Sequence, residues 1–335
     1  MTRTVAVLGA GSWGTALAVH LGRVGHDVRL WARDPALVAD MTSRRANAIY
    51  LPDVHLPDTV CVTHALGDAL RDAELVVSAI PSHGCRSVIR SAAPLLAPRA
   101  AIVSATKGIE AGTMLRMSEV IAQEAGAAHH VVVLSGPSFA VEVARQLPTA
   151  ILAASVHPEA IELVQQEFRG PSLRLYGSDD VIGVEIGGAM KNIIAIAAGV
   201  VEGLGLGHNA LAALITRGLA ELTRLACAAG GRRETLAGLS GLGDLVLTCT
   251  GTLSRNRHVG VELARGRTLP DILGGMKMVA EGVITTGAAL ELGARHGVEL
   301  PIATQMAEVL GGRTDVRTAI TALMLRRQRA EAETG

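Results

Sequence analysis

The chain has 335 residues, with 31 basic and 31 acidic side chains and a formal net charge of zero. With no basic block, this argues against nucleic acid as a partner. Hydrophobic residues make up 49% and aromatic residues 2%, with 38 glycines, so the core is built of Ala, Val, Leu, Ile and Gly, in parallel strands and closely packed helices over about two domains.

Thr4–Leu8 is a short β-rich run, followed by Gly9-Ala10-Gly11-Ser12-Trp13-Gly14 and then a helical stretch, Thr15–Gly25. GxGxxG between a strand and a helix predicts a dinucleotide site. Gly9 permits the tight turn, Gly11 lets backbone approach a pyrophosphate, and Gly14 lets helix pack on strand. The helix N-terminus offers its unbonded N–H groups to the phosphates. The same spacing accounts for Met1–Gly22, which otherwise resembles a weak signal peptide.

Asp27–Ala32 is the second predicted strand. An NAD-selective site places an acid at its end; here Arg33 comes first and Asp34 second. Arginine suits a 2′-phosphate, and a solvated Arg–Asp pair is the plainer alternative. Strands are expected near 59–63, 74–80, 101–105, 131–135, 149–155 and 172–176. Helices are expected near 35–46, 84–93, 114–125, 138–145 and 158–168. This alternation predicts a doubly wound parallel sheet. Lys107, Gly136 and Ser138 each follow a strand's carboxyl end, the edge where open α/β sheets bind ligands.

Gly177–Asp180 reads as a turn and N-cap, which puts a domain boundary near residue 180: residues 1–180 as an α/β domain, 181–335 as an α-helical one. Ile182–Gly205 is one apolar helix with Lys191 at its centre. The helical neighbours of Lys191 are Gly187, Gly188, Ile194 and Ala195, and Asn192 adjoins it. Either Lys191 snorkels outward along its stem or it is an acid held at a cleft, since a buried ammonium needs a partner. Helical periodicity continues at Ala210–Ala229, Glu262–Arg265, Leu269–Gly275, Thr285–His296 and Arg317–Arg329. Between them, Gly238–Thr250 reads as a glycine-rich turn that places Asp244. Ser254-Arg255-Asn256-Arg257 is a donor cluster that fits a phosphate, or a helix cap.

Cys61, Cys85, Cys227 and Cys249 form no CxxC pair and have no adjoining His cluster. No metal site, no disulfide framework and a reduced, cytoplasmic chain are expected. No run of 18 apolar residues occurs, so no membrane span is expected.

These motifs together resemble one family, the bacterial NAD(P)-dependent glycerol-3-phosphate dehydrogenases. The resemblance rests on GAGSWG at 9–14, NAIYLP at 47–52, ATKGIE at 105–110 and SGPSFA at 135–140. It continues with EIGGAMKNIIAIAAGVVEGLGLG at 185–207, ITRGLAEL at 215–222, LSGLGDLVLTCTG at 239–251, SRNRHVG at 254–260 and VAEGVITT at 279–286. His208–Leu211 departs from it, lacking a basic side chain near Leu211.

The resemblance implies a Rossmann-type domain followed by an all-α domain like that of 6-phosphogluconate dehydrogenases. It implies reversible reduction of dihydroxyacetone phosphate to sn-glycerol 3-phosphate, which supplies phospholipid synthesis, with NAD(H) or NADP(H), Arg33 tilting the choice toward NADP(H). It implies a homodimer. Carried over by motif, Lys191 is the proton donor and acceptor, with Lys107 and Asp244 beside it in catalysis. Lys107, Gly136, Ser138, Lys191, Asn192, Asp244, Thr248, Ser254, Arg255 and Asn256 hold the substrate. Gly9, Gly11, Ser12, Trp13, Gly14, Arg33, Tyr50, Lys107, Ala140, Arg255, Val279 and Glu281 line the cofactor. The rivals are a related reductase of a small hydroxy or keto acid, such as ketopantoate, and a non-catalytic nucleotide sensor. The SRNR cluster favours a phosphorylated substrate over the first. A sensor has no need of Lys107, Lys191, Asp244 and Arg255 together.

Overall fold

The computed structural model describes residues 2–328 and Ala330. The chain divides into two compact units, Met1–Lys107 with Met117–Val181, and Gly108–Arg116 with Ile182–Gly335. The short segment Gly108–Arg116 thus belongs with the helical unit, where Ile109 is part of the core.

The first unit runs β1 (Thr4–Leu8), α1 (Ser12–Arg23), β2 (Asp27–Trp31), α2 (Pro35–Arg44), β3 (Ala46–Asn47), β4 (Leu51–His55), β5 (Val60–Thr63) and α3 (Leu66–Leu70). It continues with β6 (Leu75–Ser78), α4 (Ser82–Ala92), β7 (Ala101–Ser104), α5 (Met117–Ala125), β8 (Val131–Ser135), α6 (Ala140–Ala144), β9 (Thr149–Ala154), α7 (Pro158–Glu167) and β10 (Leu173–Ser178). The main sheet has the order β10-β9-β8-β7-β6-β1-β2-β5. Val7 of β1 sits opposite Leu30 of β2 on one side and Val77 of β6 on the other. β6 and β7 are buried at every residue, as central strands covered on both faces must be.

The sheet is not wholly parallel, as the alternation had predicted. β8 pairs antiparallel with β9, while the other pairings of this sheet are parallel. The link from β8 to β9 contains a helix and so reads in sequence like a parallel crossover. That helix, α6, spans only Ala140–Ala144 and packs on α1. Two further elements lay hidden in the sequence: the β3–β4 hairpin, whose strands are short and include Pro52, and the five-residue helix α3.

The second unit is helical: α8 (Val181–Gly203), α9 (Gly207–Ala228), α10 (Arg233–Ala237), α11 (Asp244–Thr250), α12 (Arg255–Ala264), α13 (Leu269–Gly274), α14 (Glu281–Arg295), α15 (Pro301–Leu310) and α16 (Val316–Met324). The glycine-rich stretch before Asp244 is not an open turn but a π-helical one, Leu239–Gly243, running straight into α11. α16 stops at Met324, short of the basic end expected for it; Arg329 lies outside the described residues.

α8 is predominantly apolar and buried from Gly183 to Val201, with Glu185, Lys191 and Asn192 as its buried polar residues, as expected of a helix at the centre of a core. By length and composition alone α8 is apolar enough to cross a membrane, yet 89% of its most apolar window is buried within the protein. Its neighbours approach closely because glycine lines the contacts. A Cβ on Gly199 would lie 1.9 Å from the Arg257 carbonyl oxygen of α12, and one on Gly260 would lie 1.9 Å from the Ile196 carbonyl oxygen.

Candidate functional site

The candidate residues fall into two sets, one on each unit. In the first unit, chain order reverses at β1, between β2 and β6, and such switch points open a crevice beyond the strands' carboxyl ends. The glycine turn occupies that place. Gly9 has φ +111°, and a Cβ there would lie 2.8 Å from the Ala79 carbonyl oxygen just past β6. A Cβ on Gly11 would meet nothing within 4 Å, so its absence leaves open space against the backbone. A Cβ on Gly14 would strike the Gly9 carbonyl oxygen at 1.8 Å. α1 has no side-chain cap, and the N–H of Thr15 is bonded to the Gly11 carbonyl at 2.9 Å. The turn has the shape and polarity that a pyrophosphate needs, so the residues present fit a dinucleotide.

The β3–β4 hairpin braces this turn. Asn47, fully buried, donates from Nδ2 to the Ala10 carbonyl at 2.9 Å and to Thr15 Oγ1 at 2.8 Å. Its Oδ1 accepts from the Tyr50 N–H at 3.1 Å, and Ser12 Oγ donates to the Tyr50 carbonyl at 2.6 Å. Asn47 was not among the residues singled out from sequence. The signal for it was present in NAIYLP, where one amide precedes a tyrosine. Trp13 and Tyr50 are partly buried against the core.

Arg33 is exposed just past β2. Asp34 is engaged as the N-cap of α2, its Oδ1 accepting from the Ala36 N–H at 2.9 Å with Pro35 following. Lys107 is partly buried past β7. Gly136 has φ +140°, which favours glycine, and a Cβ there would press on Ile151 Cα at 3.0 Å. Ser138 Oγ donates to the Gly136 carbonyl at 3.0 Å, and Ala140 begins α6.

In the second unit Lys191 does not snorkel. It is 7% exposed, and its Nζ donates to Asp244 Oδ1 and, at 2.9 Å, to Thr248 Oγ1. Thr248 Oγ1 donates to the Asp244 carbonyl at 2.6 Å. Asp244 and Thr248 are one helical turn apart on α11, so both face the lysine. A Cβ on Gly187, a turn before Lys191, would lie 2.9 Å from the Ser240 carbonyl, so glycine lets the π-turn approach α8. Cys249 is buried beside the pair. Burial pushes its thiol up to about 12, against the lowering effect of Lys191 and Arg257 and with the raising effect of Asp244. The thiol therefore stays neutral at physiological pH.

Asn192 and Asn256 are also buried, and their amides tie three helices. Asn256 Nδ2 donates to Asn192 Oδ1 at 2.9 Å, and the Gly282 N–H of α14 donates to Asn256 Oδ1 at 2.9 Å. Of the two readings of the SRNR cluster, the helix cap is present. Ser254 caps α12, its Oγ accepting from the Arg257 N–H at 3.2 Å. Arg257 pairs with Glu202, while Arg255 stays exposed on the first turn. Desolvation by surrounding protein lowers the Arg255 pKa, and the Glu281 carboxylate at the start of α14 raises it. Val279 is partly buried two residues before Glu281.

Known proteins match over nearly the whole chain. Residues 4–161 match the family model described as NAD-dependent glycerol-3-phosphate dehydrogenase N-terminus, and residues 180–321 match the corresponding C-terminus. The glycerol-3-phosphate dehydrogenase [NAD(P)+] of Koribacter versatilis is 56% identical over 282 residues, covering 83% of this chain and 84% of that one. Its counterpart in Geobacter sulfurreducens is 51% identical over 284 residues, covering 84% and 85%. Among solved structures, the glycerol-3-phosphate dehydrogenase of Coxiella burnetii superposes with a TM-score of 0.94 at 41% identity, covering 97% of this chain and 99% of that one.

Proposed function

The chain belongs to the NAD-dependent glycerol-3-phosphate dehydrogenase family, and on that premise we propose that it reversibly reduces dihydroxyacetone phosphate to sn-glycerol 3-phosphate with NAD(P)H. The observation that carries the mechanism is a buried lysine, Lys191, held by Asp244 and Thr248.

NAD(P)H, when bound, supplies the hydride that the ketone carbon accepts. Ser12, Trp13, Arg33, Tyr50, Lys107, Ala140, Arg255, Val279 and Glu281, with the glycine turn, hold that cofactor. Negative charge then develops on the carbonyl oxygen. The Lys191 ammonium stabilises this charge and gives the oxygen a proton, becoming neutral; solvent returns the proton. In the reverse direction neutral Lys191 takes the hydroxyl proton as hydride leaves carbon. Asp244 fixes the ammonium in place and offsets its charge in apolar surroundings. Lys107, Gly136, Ser138, Asn192, Thr248, Ser254, Arg255 and Asn256 bind the substrate, with Arg255 gripping its phosphate. The product serves phospholipid synthesis. We place the enzyme in the cytoplasm as a homodimer. Family membership supports both, and four cysteines that form no disulfide suit a reducing compartment.

Arg255 tests the substrate. Arg255→Ala should lower kcat/KM for dihydroxyacetone phosphate by about 2–5 kcal/mol, because phosphate binding positions the carbonyl. Unphosphorylated dihydroxyacetone should be a poor substrate for wild type and variant alike. Inorganic phosphate should compete with substrate in the wild type only. Equal use of the phosphorylated and unphosphorylated ketone by the wild type would refute the assignment.

A further inference from the structure

Among the described residues, one cluster outside the proposed machinery brings metal-ligating atoms together: His130, His157 and Glu159, whose ligand atoms all lie within 4.8 Å of one another. Glu159 Oε1 is 3.5 Å from His130 Nδ1 and 3.8 Å from His157 Nδ1. The imidazole rings stack with centroids 3.8 Å apart and planes 5° from parallel. In sequence the two histidines are far apart, and only the antiparallel pairing of β8 with β9 joins them. That pairing carries the chain past β9 toward the residue that precedes β8.

We propose that these three side chains form a binding site for a divalent transition ion, of which Zn2+ is the best fit. Two imidazole nitrogens and one carboxylate oxygen are a donor set for Zn2+ or its neighbours and not for Mg2+ or Ca2+. A tetrahedral ion with bonds of about 2.0–2.1 Å places its ligand atoms roughly 3.3 Å apart. The two observed nitrogen–oxygen separations are close to that edge. The backbone around all three is fixed: the His130 carbonyl accepts from the Ile102 N–H at 2.9 Å, His157 is the N-cap residue of α7, and Glu159 lies in its first turn. Ser155 Oγ ties the approach by donating to the Val131 carbonyl at 2.8 Å.

Parallel rings send their lone pairs out side by side, so capture of an ion turns them toward a common point. The His130 and His157 side chains are 40% and 43% exposed, which leaves room to turn. Three protein ligands leave the fourth position to water. The site lies at the amino end of β8, the end opposite Gly136 and the sheet edge that carries the glycine turn. An ion here would cross-link β8 to α7 and stabilise this unit, without taking part in hydride or proton transfer.

The test is Zn2+ titration by calorimetry on chelator-treated protein. Cys61 and Cys227, both exposed thiols, are changed to Ser beforehand so that they do not contribute. One saturable equivalent is expected. His157→Ala and His130→Ala should each weaken it by tenfold or more, Glu159→Gln should weaken it less, and dehydrogenase turnover should not change. Saturating Zn2+ should raise the melting temperature of the parent and not of His157→Ala. Zinc-edge anomalous scattering from a crystal grown with Zn2+ should place an ion between the two rings. No saturable equivalent, equal affinity in parent and His157→Ala, or an anomalous peak elsewhere would overturn the proposal.

Discussion

Lys191 and Asp244 are both almost wholly buried, 7% and 1% exposed, and each is the other's counter-charge. Removing one takes a buried counter-charge from the other, so rate and stability must be separated in any variant. Lys191→Ala should lower kcat for ketone reduction by about 10²–10⁴ and destabilise the fold by up to about 3–5 kcal/mol through loss of the counter-charge to the buried Asp244 carboxylate. Adding Asp244→Asn should restore much of the stability and none of the rate, as urea unfolding and steady-state kinetics on the two variants would show. The proposed basis of cofactor choice is also a single residue. The Asp34 carboxylate caps α2, while Arg33 is exposed just past β2 and on the proposed reading is the residue that would meet a 2′-phosphate. Arg33→Ala should therefore raise KM for NADPH roughly ten- to hundred-fold, about 1.5–3 kcal/mol, and KM for NADH much less. Equal losses would mean that Arg33 stacks on adenine and does not read the phosphate.

α8 carries Lys191 through a core made passable by glycine. Where it crosses α12, Gly199 and Gly260 each face a carbonyl oxygen of the other helix. Gly199→Ala should cost about 1–3 kcal/mol or more by overpacking, seen as a lower urea midpoint; an unchanged midpoint would show that the helices can separate without cost. The low aromatic content announced this kind of packing, but which glycines touch which helix is a tertiary fact. The same division holds elsewhere. β1, β6 and β7 were legible because buried parallel strands are continuous apolar runs. The direction of β9 was not, because a link containing a helix serves either sense. The β3–β4 hairpin was missed because β3 has only two residues and β4 contains Pro52 and buries only Leu51 and Val54, which is neither alternation nor an apolar run, and with it went the buried role of Asn47. The π-turn before Asp244 was taken for a loop because glycine lowers helix propensity, which packing against α8 and α10 overrides. Lys191, Asp244 and Arg255 stood out because their side chains are unusual in their surroundings. The bonds that Lys191 and Asp244 make could come only from the structure.

At the scale of the whole molecule, pH acts through buried charge. Glu221 of α9 is 2% exposed and accepts from the Ile302 N–H of α15 at 2.6 Å and the Ala303 N–H at 3.3 Å. Burial raises its pKa to about 7, while those two N–H groups, Arg224 and Arg326 lower it. A folded-state pKa above the ordinary 4.5 means that the folded chain holds the proton longer. The contribution is therefore complete below about pH 4.5 and is lost as pH rises through about 7, to the extent of about 3 kcal/mol. Glu221→Gln should remove that slope, so that the difference between the wild-type and variant stability curves changes by about 3 kcal/mol between pH 4 and 8; parallel curves over that range would contradict it. On the proposed mechanism catalysis should show its own pH dependence, reduction requiring Lys191 protonated and oxidation of glycerol 3-phosphate requiring it neutral. Oxidation should climb toward alkaline pH while reduction falls. The most direct test of the account is NADPH oxidation, followed with and without dihydroxyacetone phosphate, by the wild type and by the Lys191→Ala/Asp244→Asn double variant. The account predicts turnover by the wild type only when the ketone is present, and a double variant that binds NADPH normally yet turns over about 10²–10⁴ times more slowly. A wild type indifferent to the ketone, or a double variant that keeps the wild-type rate, would contradict it.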